Sequence, residues 1–514
     1  MTDRNEEQAG TPAPRRHVVL LVMAMVFVLD VVMRPMMPTN ETRYLGVAWE
    51  MLTGHHWLVP FQNGVPYSHK PPLLFWLINL VWLPGISEYA ARLVAPALSI
   101  LALWLTGRLA DRMRPGGQFG NAAIVILGTM VPFYFFGGET NFDGILMLAM
   151  VTCAAALWRI GMTPAPRLSH WLAFGVALGF GVYAKGPVIF VHALPLVLAM
   201  RWWAGPGRFS VTGLLAALLV ALGLVALWLV PAFITGDATY REEILWTQSA
   251  GRVVNSFAHA EPWWFYGAVL PMLLFPWIAI PGFWRSRPLD HVEKFALAWF
   301  LGPFILFSLI SGKQPDYLLP AMPAAALLLA NRWPLRRGRP WIVAAVLVGV
   351  MAVVLALPTG VLGQQVSDFL DLPLAFVILV PLVLALAVLM RWPGLVWLTV
   401  PALALALNTA YFIGPAGKIM SPKEIAGIIA ERDGSVGYAG SDYRGDFHFA
   451  GRLQAPLTLL PDDAAIDAFV QANPEGLIVG RIDQATRPDW APQHTIRYRK
   501  RDTWAVWNIE DKGR

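Results

Sequence analysis

The sequence predicts a polytopic α-helical membrane protein with a small soluble α/β domain at its C-terminal end. Three observations predict it. Only 14% of the 514 residues are charged while 56% come from the AVILMFWYC set, apolar runs long enough to cross a hydrocarbon core of about 30 Å recur along the chain, and after residue 415 the composition turns to that of a soluble protein. Soluble globular chains carry about 25% charged residues, so a cytosolic enzyme and a disordered chain are excluded. The mean hydropathy of +0.53 also excludes a basic nucleic-acid binder, despite an isoelectric point near 9.4.

Residues 1–16 read as a cytoplasmic N-terminus ending in Arg15-Arg16. The apolar run that follows is too long for a removable signal peptide and lacks a small-residue cleavage site. Spans are expected at 17–37, 89–112, 119–137, 142–160, 169–184, 187–203, 211–234, 263–283, 292–311, 316–331, 341–361, 372–391 and 394–414, about 13 in all. With the N-terminus inside, the inner turns carry Arg108, Arg112 and Arg114, then Arg159 and Arg167, Arg201 and Arg208, Arg285 and Arg287, and Arg332, Arg336, Arg337 and Arg339. That agrees with the positive-inside rule and places the protein in a plasma membrane, read as the bacterial inner membrane.

Two outer loops are long, 38–88 and 235–262. The first holds an amphipathic piece, Glu41 to Leu52, and then KPPLLFWLINLVWLPG, which is read as lying in or dipping into the outer interface because a span there would invert every later turn. The transmembrane domain is thus 17–414, and an odd span count puts 415–514 outside as an α/β domain containing the strands GLIVG and TWAVWNI. A single cysteine, Cys153, excludes an intramolecular disulfide and a cysteine-rich zinc site.

Sorting the charges by side leaves a small outer set with no topological reason to exist: Arg43, Lys70, Lys185, Arg241, Arg252 and Lys313. Charges at the boundary of a bundle are costly unless paired or facing water, so their clustering suggests a site. Four patches converge on that face: TNETRYLGVAWEML followed by PYSHKPPLLFWL, then ETNFDG, YAKGP and SGKQPDYLLP.

These residues resemble the polytopic GT-C glycosyltransferases, in particular the group of lipid A aminoarabinose transferases and protein O-mannosyltransferases. The matches are Glu41, Arg43 and Tyr44; Glu50-Met51-Leu52; Tyr67, Lys70 and Pro71; Asp143; Lys185-Gly186; and Gly312-Lys313 with Tyr317 and Pro320, in order over about residues 17–330. The resemblance implies transfer of a sugar from a polyprenyl phosphate to an acceptor on the outer face: a lipid A-like glycolipid, an envelope glycan or an exported protein. A phosphate leaving group gathers negative charge in the transition state, so preorganised cations act there. Lys70 is the first candidate for that cradle, followed by Arg43, Lys185, Arg252 and Lys313; for each, the alternative is a snorkelling residue anchoring a span end. KPPLLFWLINLVW and PWWFYG would line a groove for the lipid.

Asp143 and Glu41 are the candidates for taking or orienting the acceptor proton, the alternative being a carboxylate placed by the helix dipole. The sequence departs from the family at Asn40, where the group has an acid. Asn hydrogen-bonds but takes no proton at neutral pH, so either Glu41 and Asp143 carry the acid–base work or activity is reduced. Tyr44, Tyr67 and Tyr317 are read as donor or acceptor contacts. His69 departs from a family Glu; with His259 it could hold a divalent metal, the other reading being two hydrogen-bonding histidines with no cofactor required. His55 and His56 read as solvated loop residues. Asn40-Glu41-Thr42 matches a glycosylation sequon, which favours a bacterial membrane because a modified Asn40 would block the site. The competing classes are a lipid flippase or transporter, which would show repeats and midplane charges, and an inactive relative that binds polyprenyl phosphate.

Overall fold

The computed structural model describes residues 13–244, 260–279, 288–332, 397–432, 434–499 and 502–512. The expected spans 341–361 and 372–391 lie outside the described residues, as do Arg252, His259 and the end of the span at 263–283.

The chain begins with α1 (Arg16–Met33), and then α2 (Glu41–Thr53) and α3 (Leu73–Val81) fill the first long loop around a two-residue hairpin, β1 (Phe61–Gln62) with β2 (Val65–Pro66). At 1.5 Å per residue α3 is about 14 Å long, too short to cross a bilayer. The bundle continues through α4 (Glu88–Met113), α5 (Gln118–Gly128), α6 (Val131–Gly137), α7 (Asp143–Met162), α8 (Leu168–Lys185), α9 (Val188–Leu198) and α10 (Val211–Thr235). It closes with α11 (Phe265–Leu273), α12 (His291–Leu309), α13 (Met322–Ala330) and α14 (Thr399–Phe412).

Among the described residues five of these, α1, α4, α7, α10 and α12, are long and apolar enough to cross a membrane, and up to seven spans result there if each of two bent pairs is one span. One such pair is α5 with α6, bent by 64°. Side chains that a soluble protein would bury stand exposed along the outer faces: Leu219, Leu222, Leu227 and Ile234 on α10 are each at least 66% exposed. Lipid replaces water as their solvent. Where helices touch, small residues let backbones close in; a Cβ on Gly175 of α8 would sit 2.4 Å from the Ala217 carbonyl of α10.

Ion pairs distinguish the two ends of the bundle. Arg16 pairs with Asp111, Arg114 with Asp290 and Arg332 with Glu293, joining the start of α1, the end of α4, the start of α12 and the end of α13. The end of α1, the start of α4, the start of α7 and the end of α8 meet at the opposite end, where the first loop also lies.

The C-terminal region folds as a five-stranded sheet in the order β4-β3-β5-β7-β6, from β3 (Val436–Ala439), β4 (Thr458–Leu460), β5 (Leu477–Arg481), β6 (His494–Arg497) and β7 (Thr503–Asn508). Strands β4, β3 and β5 run parallel and β7 and β6 antiparallel to their neighbours. Helix α15 (Lys423–Ala430) covers one face through Ile425 and Ile429, and α16 (Asp463–Ala472) the other through Ile466 and Phe469. Two covered faces explain why β5 and β7 read as continuous apolar runs rather than alternating ones. The sheet domain docks on the first loop: Phe449 stacks on Trp82 at 5.1 Å, Trp49 Nε1 donates to the Leu453 carbonyl, and Asn63 exchanges two hydrogen bonds with the Leu457 backbone.

Candidate active site

Asp143 is the first residue of α7 and is almost fully buried. The side chain of Asn141 accepts from the Asp143 and Gly144 amides, satisfying two of the donors that a helix start leaves open. The carboxylate receives Lys185 Nζ at 2.5 and 2.6 Å on its two oxygens. Lys185 ends α8, and the chain turns away at once through Gly186, whose φ of +82° suits a residue without Cβ. The same ammonium lies 5.0 Å from the centre of the Tyr317 ring, and the charge of Asp316, the residue before it, acts on both Asp143 and Lys185.

The residue on the other side of Asp143 joins this cluster to the first loop. The Phe142 ring meets Tyr44 edge-on at 4.9 Å and Phe75 at 5.8 Å, and Lys70 Nζ lies 5.5 Å from its centre. Tyr44 hydrogen-bonds to Arg43 and feels the charges of Lys185 and Asp143; burial, opposed by those cations, raises its hydroxyl above the ordinary phenol range. Arg43 Nε is buried with no protein acceptor. Tyr67 packs between His69 and Phe75.

A second charged cluster lies behind the first. Glu41 is fully buried and receives Arg34 through two bonds at 2.5 and 2.9 Å, the Met37 and Thr140 amides and the Thr140 hydroxyl, with Arg92 at 3.3 Å. Burial alone would raise its pKa, but Arg34, Arg92 and these hydrogen bonds outweigh it and hold the carboxyl well below the ordinary range. Glu139 faces the same arginine less closely. Burial, reinforced by the carboxylates of Glu41, Asp30 and Asp316 and opposed by Arg34, lifts its pKa to about 7.

Comparison with known proteins places this architecture. The chain superposes on the crystal structure of ArnT from Cupriavidus metallidurans bound to undecaprenyl phosphate with a TM-score of 0.72, covering 95% of this chain and 97% of that one at 19% identity. The chain has the GT-C fold. Residues 17–242 match the family profile of dolichyl-phosphate-mannose-protein mannosyltransferase. An undecaprenyl phosphate-alpha-4-amino-4-deoxy-L-arabinose arabinosyl transferase of Edwardsiella ictaluri is 31% identical over 328 residues, 60% of this chain and 58% of its own length. A Pseudomonas fluorescens protein of the same description is 28% identical over 413 residues, 76% of this chain and 72% of its own. The chain spans somewhat less than two thirds of the Edwardsiella relative it matches.

Within the GT-C fold the sequence-derived candidates separate into two groups. Arg43, Tyr44, Lys70, Asp143, Lys185 and Tyr317 come together, with Tyr67 adjoining through Phe75. Glu41 does not join them as a proton acceptor: its carboxylate is ionised and sealed by arginines, and its place is in the cluster that ties α1, α2 and α4. Lys313, expected at the phosphate, instead donates to the carbonyls of Glu261, Ile310 and Ser311 at 2.7, 2.5 and 3.4 Å. Those three bonds occupy all the donors of an ammonium. Asn40 is exposed at the start of α2, with no side-chain cap bond to the helix. His69 is exposed, and among the described residues no three His, Cys, Asp or Glu side chains are grouped to hold a metal ion. Sequence reasoning missed Asp316, Glu139, Arg34 and Arg92. Asp30, Arg34 and Arg92 are charges inside otherwise apolar runs, the signal that would have found them.

Proposed function

We propose that this chain is a membrane glycosyltransferase that moves a sugar from a polyprenyl-phosphate donor to an acceptor presented at the same membrane face: a lipid A-like glycolipid, a cell-envelope glycan or an exported protein. The observation that carries the reading is the convergence of Arg43, Lys70, Asp143 and Lys185 on the aromatic wall of Tyr44, Phe75, Phe142 and Tyr317 at one end of a GT-C bundle. The relatives whose descriptions name undecaprenyl phosphate support it.

In this reading Lys70 and Arg43, with Arg252 from the second loop, hold the donor phosphate, and the acceptor oxygen attacks the anomeric carbon. The bond from that carbon to the phosphate oxygen breaks, and the polyprenyl phosphate leaves with its new charge held by the cations. The acceptor proton passes to the pair formed by Asp143 and Asp316, and Lys185 balances their charge. Tyr67, Tyr317 and Asn40 offer hydrogen bonds to sugar or acceptor hydroxyls. Atoms and charge balance without a metal; a divalent ion at His69 and His259 would add to donor binding, and chelation with EDTA checks it. Topologically the reading is 13 spans in the bacterial inner membrane, with 17–414 as the transferase domain, the site and residues 415–514 on the periplasmic side, and the N-terminus inside. Mass spectrometry of envelope lipids and exported proteins, with and without the gene product, is expected to reveal one species that loses a sugar mass when the gene is deleted. Identical spectra in every fraction refute the proposal.

A further inference from the structure

The sheet domain holds a cavity of about 550 Å³, within the range of small-molecule sites. Its position follows from topology. From β3 the chain crosses to β4 on one side, then returns through α16 to β5 on the other side of β3, so the connections diverge between β3 and β5. Ligands of open α/β sheets bind outside the carboxyl ends of strands at such a point. The cavity opens there, lined by Gly440 to Asp442 after β3, by Arg481 at the end of β5 and Gln484 to Thr486 after it, and by Trp504 from the adjoining start of β7.

The polar atoms of its wall define the ligand class. Each lining guanidinium already has a carboxylate: Arg444 has Asp442 at 2.6 Å, Arg481 has Asp483 at 3.0 Å and Asp502 at 3.8 Å, and Arg499 has Asp446 at 3.5 Å. A phosphate placed there would face Asp442 and Asp502. A neutral polyol, which donates and accepts at each hydroxyl, uses both kinds of wall atom. Two buried atoms still lack partners, the Trp504 indole N–H, a donor, and Gln484 Oε1, an acceptor.

Arg499 connects this cavity to the bundle. It lines the cavity and hydrogen-bonds through a terminal guanidinium nitrogen to the Thr39 hydroxyl, one residue before Asn40. We infer that the cavity is a binding site for a neutral saccharide, the part of an acceptor remote from the hydroxyl that receives the sugar; the second half of this statement rests on the proposed transferase reading.

The test is saturation-transfer NMR on the full-length protein in detergent with mannotriose, maltotriose and galactotriose as probes. At least one is expected to take up saturation, and the signal is expected to fall at least fivefold in Ser441→Trp, which fills the cavity from an exposed loop position, and in Gln484→Leu, which replaces a polar lining residue by an apolar one. It is expected to persist in Lys70→Ala, which lacks the proposed donor contact. No signal from wild type, or an equal signal from Ser441→Trp, overturns the inference. So does ³¹P line broadening by inorganic phosphate that Ser441→Trp abolishes while no trisaccharide responds. Saccharide binding by a wild-type protein that transfers no sugar supports the site and counts against the transferase reading alone.

Discussion

Lys185, the last residue of α8, lies 2.5 and 2.6 Å from the two oxygens of Asp143, the first residue of α7, although 42 positions separate them. The pair closes an antiparallel helix hairpin at the end where the first loop packs, and it ties α7 and α8 to the 3₁₀ turn Pro315–Ala321 through Asp316 and Tyr317. An ammonium bound to Asp143 and within the field of Asp316 is neither a free phosphate ligand nor a simple anchor. It keeps two acids close together without both repelling the acceptor.

Asp143→Asn is therefore expected to act on stability and chemistry together. Removing one member of a buried ion pair strands the other, at a cost of about 3–5 kcal/mol, and the melting temperature in detergent is expected to fall. Adding Lys185→Met removes the stranded charge, so the double variant regains melting temperature while sugar transfer stays absent. Transfer at wild-type rates by either variant removes Asp143 from the mechanism.

Lys70→Ala separates the cradle from the scaffold. Its side chain is half-buried and its ammonium rests against the Phe142 ring, so truncation is expected to cost less than breaking a fully buried ion pair. Loss of one preorganised donor to a developing charge costs a factor of about 10²–10³ in kcat. An assay with a polyprenyl-phosphate sugar is expected to show that loss with a smaller fall in melting temperature than Asp143→Asn gives. A purely anchoring lysine would give the reverse pattern.

Glu41→Gln tests the sealed cluster. Arg34 and Arg92 lose their shared counter-charge in a fully buried site, and a cost of about 3–5 kcal/mol is expected. Because the Glu41 carboxyl is held ionised, its loss is expected to leave the shape of the pH–rate profile unchanged in whatever protein remains folded. A missing limb in that profile would restore Glu41 to the acid–base work.

Which of these residues the sequence reveals depends on sign and place. Lys70 and Lys185 stand out because basic residues on the outer side break the charge pattern that sets topology. Asp316 lies inside SGKQPDYLLP and passes unnoticed, since a lone acid at a span boundary breaks no such pattern. Glu41 is recognisable by resemblance to an acid motif, but its partner Arg34 lies within the expected span 17–37 and Arg92 within 89–112, where apolar neighbours hide them. Strands β5 and β7 are legible as apolar runs because both sheet faces are covered, whereas β4, three residues long, carries too little pattern. The docking of Phe449 on Trp82 joins positions more than 360 apart, and no local periodicity encodes it.

That docking surface contains a group whose charge depends on pH. His448 is almost fully buried where the sheet domain meets α2; its Nδ1 shares a hydrogen bond with the Tyr443 hydroxyl at 3.1 Å and its Nε2 lies 3.8 Å from Glu50. Burial lowers its pKa to about 4, against about 6.5 in an unfolded chain. A base with a depressed folded pKa contributes nothing adverse above 6.5. As pH falls from 6.5 towards 4, the unfolded chain takes up a proton that the folded one refuses, and stability drops, by about 3 kcal/mol at the end of that window. Glu50, whose carboxyl is raised by burial against the Asn63 and Gly64 amides, works in the opposite sense, so the informative quantity is the difference between variants. Wild type is expected to lose more melting temperature between pH 7.5 and pH 5 than His448→Gln, which keeps a hydrogen-bonding group but does not titrate. Equal losses would mean that His448 is protonated in the folded state and that another group governs the acid sensitivity of the interface.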